Sequence, residues 1–188
     1  MTVRLTLVCH GATAATVGAA FPAGEPLTER GLREATTAAA ALAGTAGRTM
    51  AWCSPAPAAV QTAEALGLNA QIDPGLRDCD LGRWRGRPLA DVHAAEPGEV
   101  GAWMSDPAAA PHGGESVLDL IDRTAGWLAG RLHHVGRASA VTHAAVIRAA
   151  VLHVLDAPAV SFWRVDVPPL AKVRLTGHGG RWQLLASV

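Results

Sequence analysis

The sequence predicts an α/β fold: a three-layer sandwich, with a largely parallel central sheet flanked by helices. Three observations predict it. Short apolar and β-branched runs alternate with helical stretches along the chain. Three of these runs, ending in Cys9-His10-Gly11, Cys53-Ser54-Pro55 and Thr142-His143, lead straight into polar loops. Open parallel sheets bind ligands at such carboxyl ends. Finally, 188 residues with 49% hydrophobic and 17% charged side chains suit one domain over 1–188 with a substantial core.

Each element has a local reason. "VRLTLVC" over 3–9 is a buried strand ending at a glycine turn. Thr28 caps a helix running to about Gly44, with Ala and Leu on its inner face. "TMAWC" over 49–53 is a second strand. Ser54-Pro55 then caps and opens a helix ending near Gly67. "AQIDPGL" supplies a third strand and turn, and "RDCDLGRWRGRPL" a polar loop of the kind that carries function. "LADVHAAEP" and "GEVGAWMSD" are short helices. After the connector "PAAAPHGGES", Glu115 or Ser116 starts the long helix "SVLDLIDRTAGWLAGRLHHV". "ASAVTH" over 138–143 is a buried strand, followed by the helix "AAVIRAAVLHVLD". "LAKVRLT" and "RWQLLASV" pair as a hairpin across "GHGG".

Composition excludes several classes of function. The net charge of +0 provides no basic stripe for nucleic acid and no polybasic membrane anchor. No apolar run approaches the roughly 20 residues of a membrane span. The apolar N-terminus is too short for a secretory signal, so a cytoplasmic protein acting on a small molecule is expected. Lys172 is the only lysine and alanine is abundant, the bias of a GC-rich bacterial genome. Cys9, Cys53 and Cys79 are an odd number without framework spacing. With His10 and His143 they could meet around zinc, but no CxxC or HxxxH spacing supports it; neither metal nor cofactor is expected.

Four polar signals stand at strand ends: Cys9-His10-Gly11, Cys53-Ser54-Pro55, Arg77-Asp78 and Thr142-His143. Two histidines on buried strand ends, with a carboxylate from a third segment, can perform acid–base or nucleophilic chemistry. His10, His143 and Asp78 are therefore the candidate catalytic groups. The other histidines, including His112 in "PHGGES", read as surface or packing residues, with His112 able to edge the pocket. Trp84 could wall a ligand site, though six tryptophans in this chain mostly imply core.

These segments resemble the histidine phosphatase superfamily, which includes the cofactor-dependent phosphoglycerate mutases. The resemblance covers nearly the whole chain in the family's order: "LVCHGAT", "PLTERGLREA", "CSPAPAAVQTA", "LRDCDLGRWRGR", "GGESVLDLIDR" and "VTHAAVIRA". It implies a phosphohistidine at His10, a second histidine at His143 holding the phosphoryl group, and an acid at Asp78. It also implies two arginine clamps, yet Cys9 and Ala58 occupy those positions. Asp78 stands for a glutamate, Thr16 for a common asparagine, and Ala144-Ala145 for a glycine pair. Cys9, Gly11, Thr13, Thr16 and Ala58 are expected to line the substrate pocket. So are Arg77, Glu115, Thr142 and Ala144.

Losing two bidentate arginines removes several charge-assisted bonds, each worth about 1.5–3 kcal/mol. Conventional phosphatase turnover is therefore expected to be low unless Arg77, Arg83, Arg85 or Arg87 leans inward. Three readings follow: an enzyme repurposed for acid–base or nucleophilic chemistry on a small metabolite, with specialised-metabolite biosynthesis as a natural setting; a weak or narrow phosphomonoesterase; and a non-catalytic relative that binds a ligand or partner. The first is favoured, because both imidazoles survive where both clamps do not. A homodimer is left open.

Overall fold

The computed structural model describes residues 2–43 and 50–185. In chain order the elements are β1 (Val3–Cys9), α1 (Ala14–Val17), α2 (Glu29–Ala43), β2 (Met50–Cys53), α3 (Pro57–Ala65), β3 (Gln71–Ile72), α4 (Leu89–Ala95), α5 (Pro97–Ser105), α6 (Val117–Ala129), β4 (Gly136–Thr142), α7 (Ala144–Leu155), β5 (Lys172–His178) and β6 (Arg181–Leu184). Short 3-10 turns lie over Pro74–Leu76, Gly82–Trp84 and Ala159–Arg164. The expected ends at Gly44 and Thr49, and the last residues of "RWQLLASV", fall outside the described residues.

The strands form one mixed sheet in the order β3-β2-β4-β1-β5-β6. β1 to β4 run parallel; β5 is antiparallel to β1, and β6 to β5. The expected hairpin closes at Gly179-Gly180. Alternation along β1 defines the two covered faces. Val3, Leu5, Leu7 and Cys9 pack with Leu120 and Leu128 of α6 and Ile147 and Val151 of α7. Val8 points the other way, to Ala59, Ala63 and Leu66 around α3. That yields helix, sheet and helix layers, as the alternating sequence requires. No helix among the described residues is long and apolar enough to cross a membrane.

Most helix starts follow their sequence signals. Thr28 Oγ1 accepts from Gly31 N, and Ser116 forms a capping box with Asp119. Two expectations need correction. The long helix stops at Ala129, where Gly130 follows, instead of reaching His134 and Val135. Ser54 does not cap α3: that helix starts at Pro57 with Ala56 at its cap position and no side-chain bond there. The Ser54 hydroxyl has a different partner, described below.

Candidate active site

β1, β2 and β4 end side by side, so the loops after them meet. His10 follows β1, Ser54 follows β2 and His143 follows β4. Gly31 of α2 backs directly onto the loop after His10: a Cβ there would lie 2.3 Å from Ala12 O. The same loop is tied to α3, because Gly11 N donates to Thr62 Oγ1 at 3.0 Å and Thr62 Oγ1 donates to Ala58 O at 2.6 Å.

His10 Nδ1 is 2.7 Å from Gly11 O. A carbonyl oxygen only accepts, so Nδ1 carries the proton and the neutral ring keeps its lone pair on Nε2. His143 stands across from it, with ring centroids 5.0 Å apart at 70°. Its Nε2 lies 2.8 Å from Ser54 Oγ, which itself accepts from Ala56 N at 3.2 Å. The serine oxygen keeps a second lone pair and its proton, so this contact commits Nε2 to Ser54 in either tautomer of the ring. Asp78 Oδ2 is 3.4 Å from Nδ1, and no hydrogen bond closes, so this buried nitrogen has no partner. Burial holds the His143 pKa below its ordinary value; the Asp78 charge opposes this, while His10 and Arg123 add to it.

A cleft of about 640 Å³ opens over these groups. It is lined by His10, Thr13, Thr16, Ser54, Ala58, Arg77, Asp78, His143 and Ala144, among others. Four expected pocket residues do not line it. Gly11 spends its N–H on Thr62. Thr142 is fully buried and donates from Oγ1 to Leu76 O at 2.8 Å, fastening β4 to the turn after β3. Cys9 is 3% exposed in the core facing α7. Its thiol is pushed up to about 12 by burial, helped by the Asp78 charge and opposed by Arg148. It is a neutral space-filler, neither a thiolate nor a metal ligand. Glu115 holds Arg123 through both carboxylate oxygens, at 2.7 and 2.8 Å.

That last pair escaped sequence reasoning. Arg123 also donates to Gly75 O, Arg77 O and Asp78 O, at 2.8, 3.2 and 3.3 Å. It clamps the backbone that presents Arg77 and Asp78. Thr16 differs from expectation too. Its hydroxyl donates to Thr13 O at 2.9 Å and accepts from Thr13 N at 2.8 Å, closing a capping box on α1. It has no proton to spare for a ligand in this arrangement.

Of the third-loop arginines, Arg77 and Arg85 line the cleft. Arg83 and Arg87 turn away, paired to Glu96, with Arg83 also on Glu99. Trp84 is core, bonded through Nε1 to Glu96, and His112 packs against it instead of edging the cleft. The aromatic wall is instead Phe21, Trp103, Phe162 and Trp163, with Trp103 and Trp163 meeting edge to face at 4.4 Å. Arg148 of α7 lines the cleft as well. Among the described residues no group of three or more His, Cys, Asp and Glu could hold a metal ion.

The sequence profile described as "Histidine phosphatase superfamily (branch 1)" matches residues 5–188. The chain belongs to this superfamily. Among solved structures, this histidine phosphatase relative superposes on one titled "Mycobacterial hydrolase 1", with TM-score 0.88 and 28% identity over 99% of this chain and 98% of that one. A mycobacterial glucosyl-3-phosphoglycerate phosphatase in complex with VO3 gives TM-score 0.86 and 29% identity, covering 96% of each chain. A glucosyl-3-phosphoglycerate phosphatase of Mycolicibacterium vanbaalenii is 46% identical over 70 residues, 35% of this chain. That match spans 31% of the relative's length, so the aligned region is about a third of that curated protein.

Proposed function

We propose that the protein is a phosphomonoesterase working through a phosphohistidine at His10, with a pocket cut for a bulky, ring-bearing leaving group. The observation that carries this reading is the bond from His10 Nδ1 to Gly11 O, which leaves Nε2 as the free lone pair beside the cleft. Nε2 attacks phosphorus and the bond to the leaving oxygen breaks. Asp78, in its acid form, gives that oxygen a proton. Asp78 then takes a proton from water, the water oxygen attacks phosphorus, and the P–N bond breaks to release phosphate.

Anion binding without the two arginine clamps has a physical basis. The N-termini of α3 and α7 both border the cleft, through Ala56, Pro57 and Ala58 and through His143, Ala144 and Ala145. Neither helix has a side-chain cap, and an uncapped N-terminus carries roughly +0.5 elementary charge. His143, buried beside His10 at the start of α7, places a second imidazole at the cleft. Phosphatase relatives of the same fold, one of them in complex with VO3, support the same chemistry. The aromatic wall and the 640 Å³ cleft leave room well beyond a phosphoryl group, and a glycosyl phosphoester of the kind named for the relatives is one candidate.

A panel of aryl, glycosyl and small aliphatic phosphomonoesters tests the reading. Turnover of the ring-bearing esters should fall on the order of 10⁴-fold in His10→Ala. Turnover that survives that change would remove the phosphohistidine. The second reading, acid–base chemistry on a less anionic metabolite, is favoured by one observation: Cys9 and Ala58 are both buried, neutral and small. If only Cys9→Arg/Ala58→Arg hydrolyses phosphoesters, that second reading replaces the first.

A further inference from the structure

Position 9 lies on the face of β1 whose core cluster includes Ile147 and Val151 of α7. The family resemblance puts an arginine clamp at this position. On that side the structure already holds a guanidinium, Arg148. It stands four residues after Ala144 and three after Ala145, so all three occupy one face of α7, and all three line the cleft. Its charge acts on both the Cys9 thiol and Asp78.

The bonding of Arg148 is incomplete. Nε donates to Val165 O at 2.7 Å, which fixes the direction of the side chain. The guanidinium carbon lies 5.8 Å from the Phe162 ring centre and 5.6 Å from that of Trp163. Among the described residues no carboxylate lies within 4 Å of it, although the charge of Asp166 is felt. A guanidinium has five N–H donors. A purely structural bracket between α7 and the Val165 carbonyl needs one; the rest have no hydrogen-bond partner among the described residues, on a side chain that lines the same cleft as the two imidazoles. Every other cleft cation is exposed or differently engaged: Arg77 lies 3.7 Å from Glu115 and Arg85 bonds Ala23 O.

We propose that Arg148 is the anion clamp of this site, holding the phosphoryl oxygens from α7 in place of the arginines absent at positions 9 and 58. The inference rests on the phosphoryl-site reading above and adds the residue that recognises the charge. Anchoring at Nε and contact with two aromatic rings preorganise the fork, so little ordering remains to be done when an anion arrives. Ala144 and Ala145 keep the helix surface low between Arg148 and His143, leaving the approach clear.

Calorimetry with orthovanadate on the full chain tests this. Arg148→Met keeps most of the apolar stem and removes the charge; affinity should fall roughly 10- to 100-fold. Arg148→Lys retains the charge without the fork and should fall between. Cys9→Arg/Arg148→Met should regain most of the loss, which a folding defect could not imitate. The lysine variant decides the matter if the methionine variants do not fold. Equal affinity in the folded variants, or a loss that Cys9→Arg does not restore, overturns the proposal. Phosphomonoester turnover measured alongside separates the two readings. Arg148-dependent vanadate binding without turnover removes the hydrolase and leaves the clamp standing. Turnover with vanadate binding indifferent to Arg148 removes the clamp alone.

Discussion

On one side of the cleft His10, His143 and Ser54 are buried and oriented by hydrogen bonds of 2.7 and 2.8 Å. On the other, Phe21, Trp103 and Trp163 meet edge to face, Phe21–Trp103 at 5.6 Å and Trp103–Trp163 at 4.4 Å. The imidazole side is fixed by direction: each ring has one nitrogen committed, His10 Nδ1 to Gly11 O and His143 Nε2 to Ser54 Oγ. The aromatic side is fixed by shape, since ring packing tolerates small rotations that a hydrogen bond does not. Chemistry and selectivity are therefore built separately, and substitutions should affect them separately.

The strongest way to break that division is Arg123→Met. It removes the two-bond partner of Glu115, which is largely buried, and frees the backbone that carries Asp78. The expected cost is about 3 kcal/mol in urea unfolding, because a largely buried carboxylate keeps only the half-exposed Arg77, 3.7 Å away, as its partner charge. Turnover should drop on the order of 10²-fold through misplacement of Asp78, with all phosphoesters affected alike. A smaller effect confined to one substrate class would show that this loop serves selectivity instead.

Trp103→Ala acts on the other side. Turnover of aryl phosphoesters should fall about tenfold relative to a small aliphatic ester, read as a ratio of kcat/KM values. An equal fall for both substrates would mean that the wall supports the imidazoles as well.

The smallest effect is on stability with pH. Burial lowers the His143 pKa below its ordinary 6.5 in the folded chain, so the unfolded chain binds the proton first. Its contribution is complete above about 6.5 and is lost as the pH falls below that value. His143→Asn should flatten the decline of Tm on acidification. Part of the slope should persist, because burial holds His112 low in the same sense. An unchanged slope would place the acid sensitivity elsewhere.

The fold was legible because its signals are local. Strand alternation, Thr28, Ser116 and the glycine pair at 179–180 act on their own neighbours, and the sheet order follows from packing the resulting elements. The imidazoles and Asp78 were legible as strand-end polar groups. Ser54 was misread for the same reason that other caps were read correctly. A serine before a proline looks like a helix start, while its partner His143 lies 89 residues away. Glu115 was placed in the pocket, but its charge is spent on Arg123, a residue that looks like any polar position on an amphipathic helix. Arg148 stood inside a quoted motif, yet its aim into the cleft depends on Val165, Phe162 and Trp163 beyond the end of α7. The aromatic wall assembles from three separate segments, and no local pattern announces it. Weighing the absent arginines at 9 and 58 without seeing Arg148 and the two uncapped helix N-termini tilted the sequence reading toward a repurposed site.

The central claim is that phosphoryl chemistry persists here through His10. Rapid alkaline quenching during turnover of an aryl phosphate, followed by peptide mass spectrometry, tests it most directly. The account predicts an acid-labile, alkali-stable phosphoryl group on the His10 peptide, absent in His10→Ala. Sustained hydrolysis with no phosphoryl group on that peptide would contradict it.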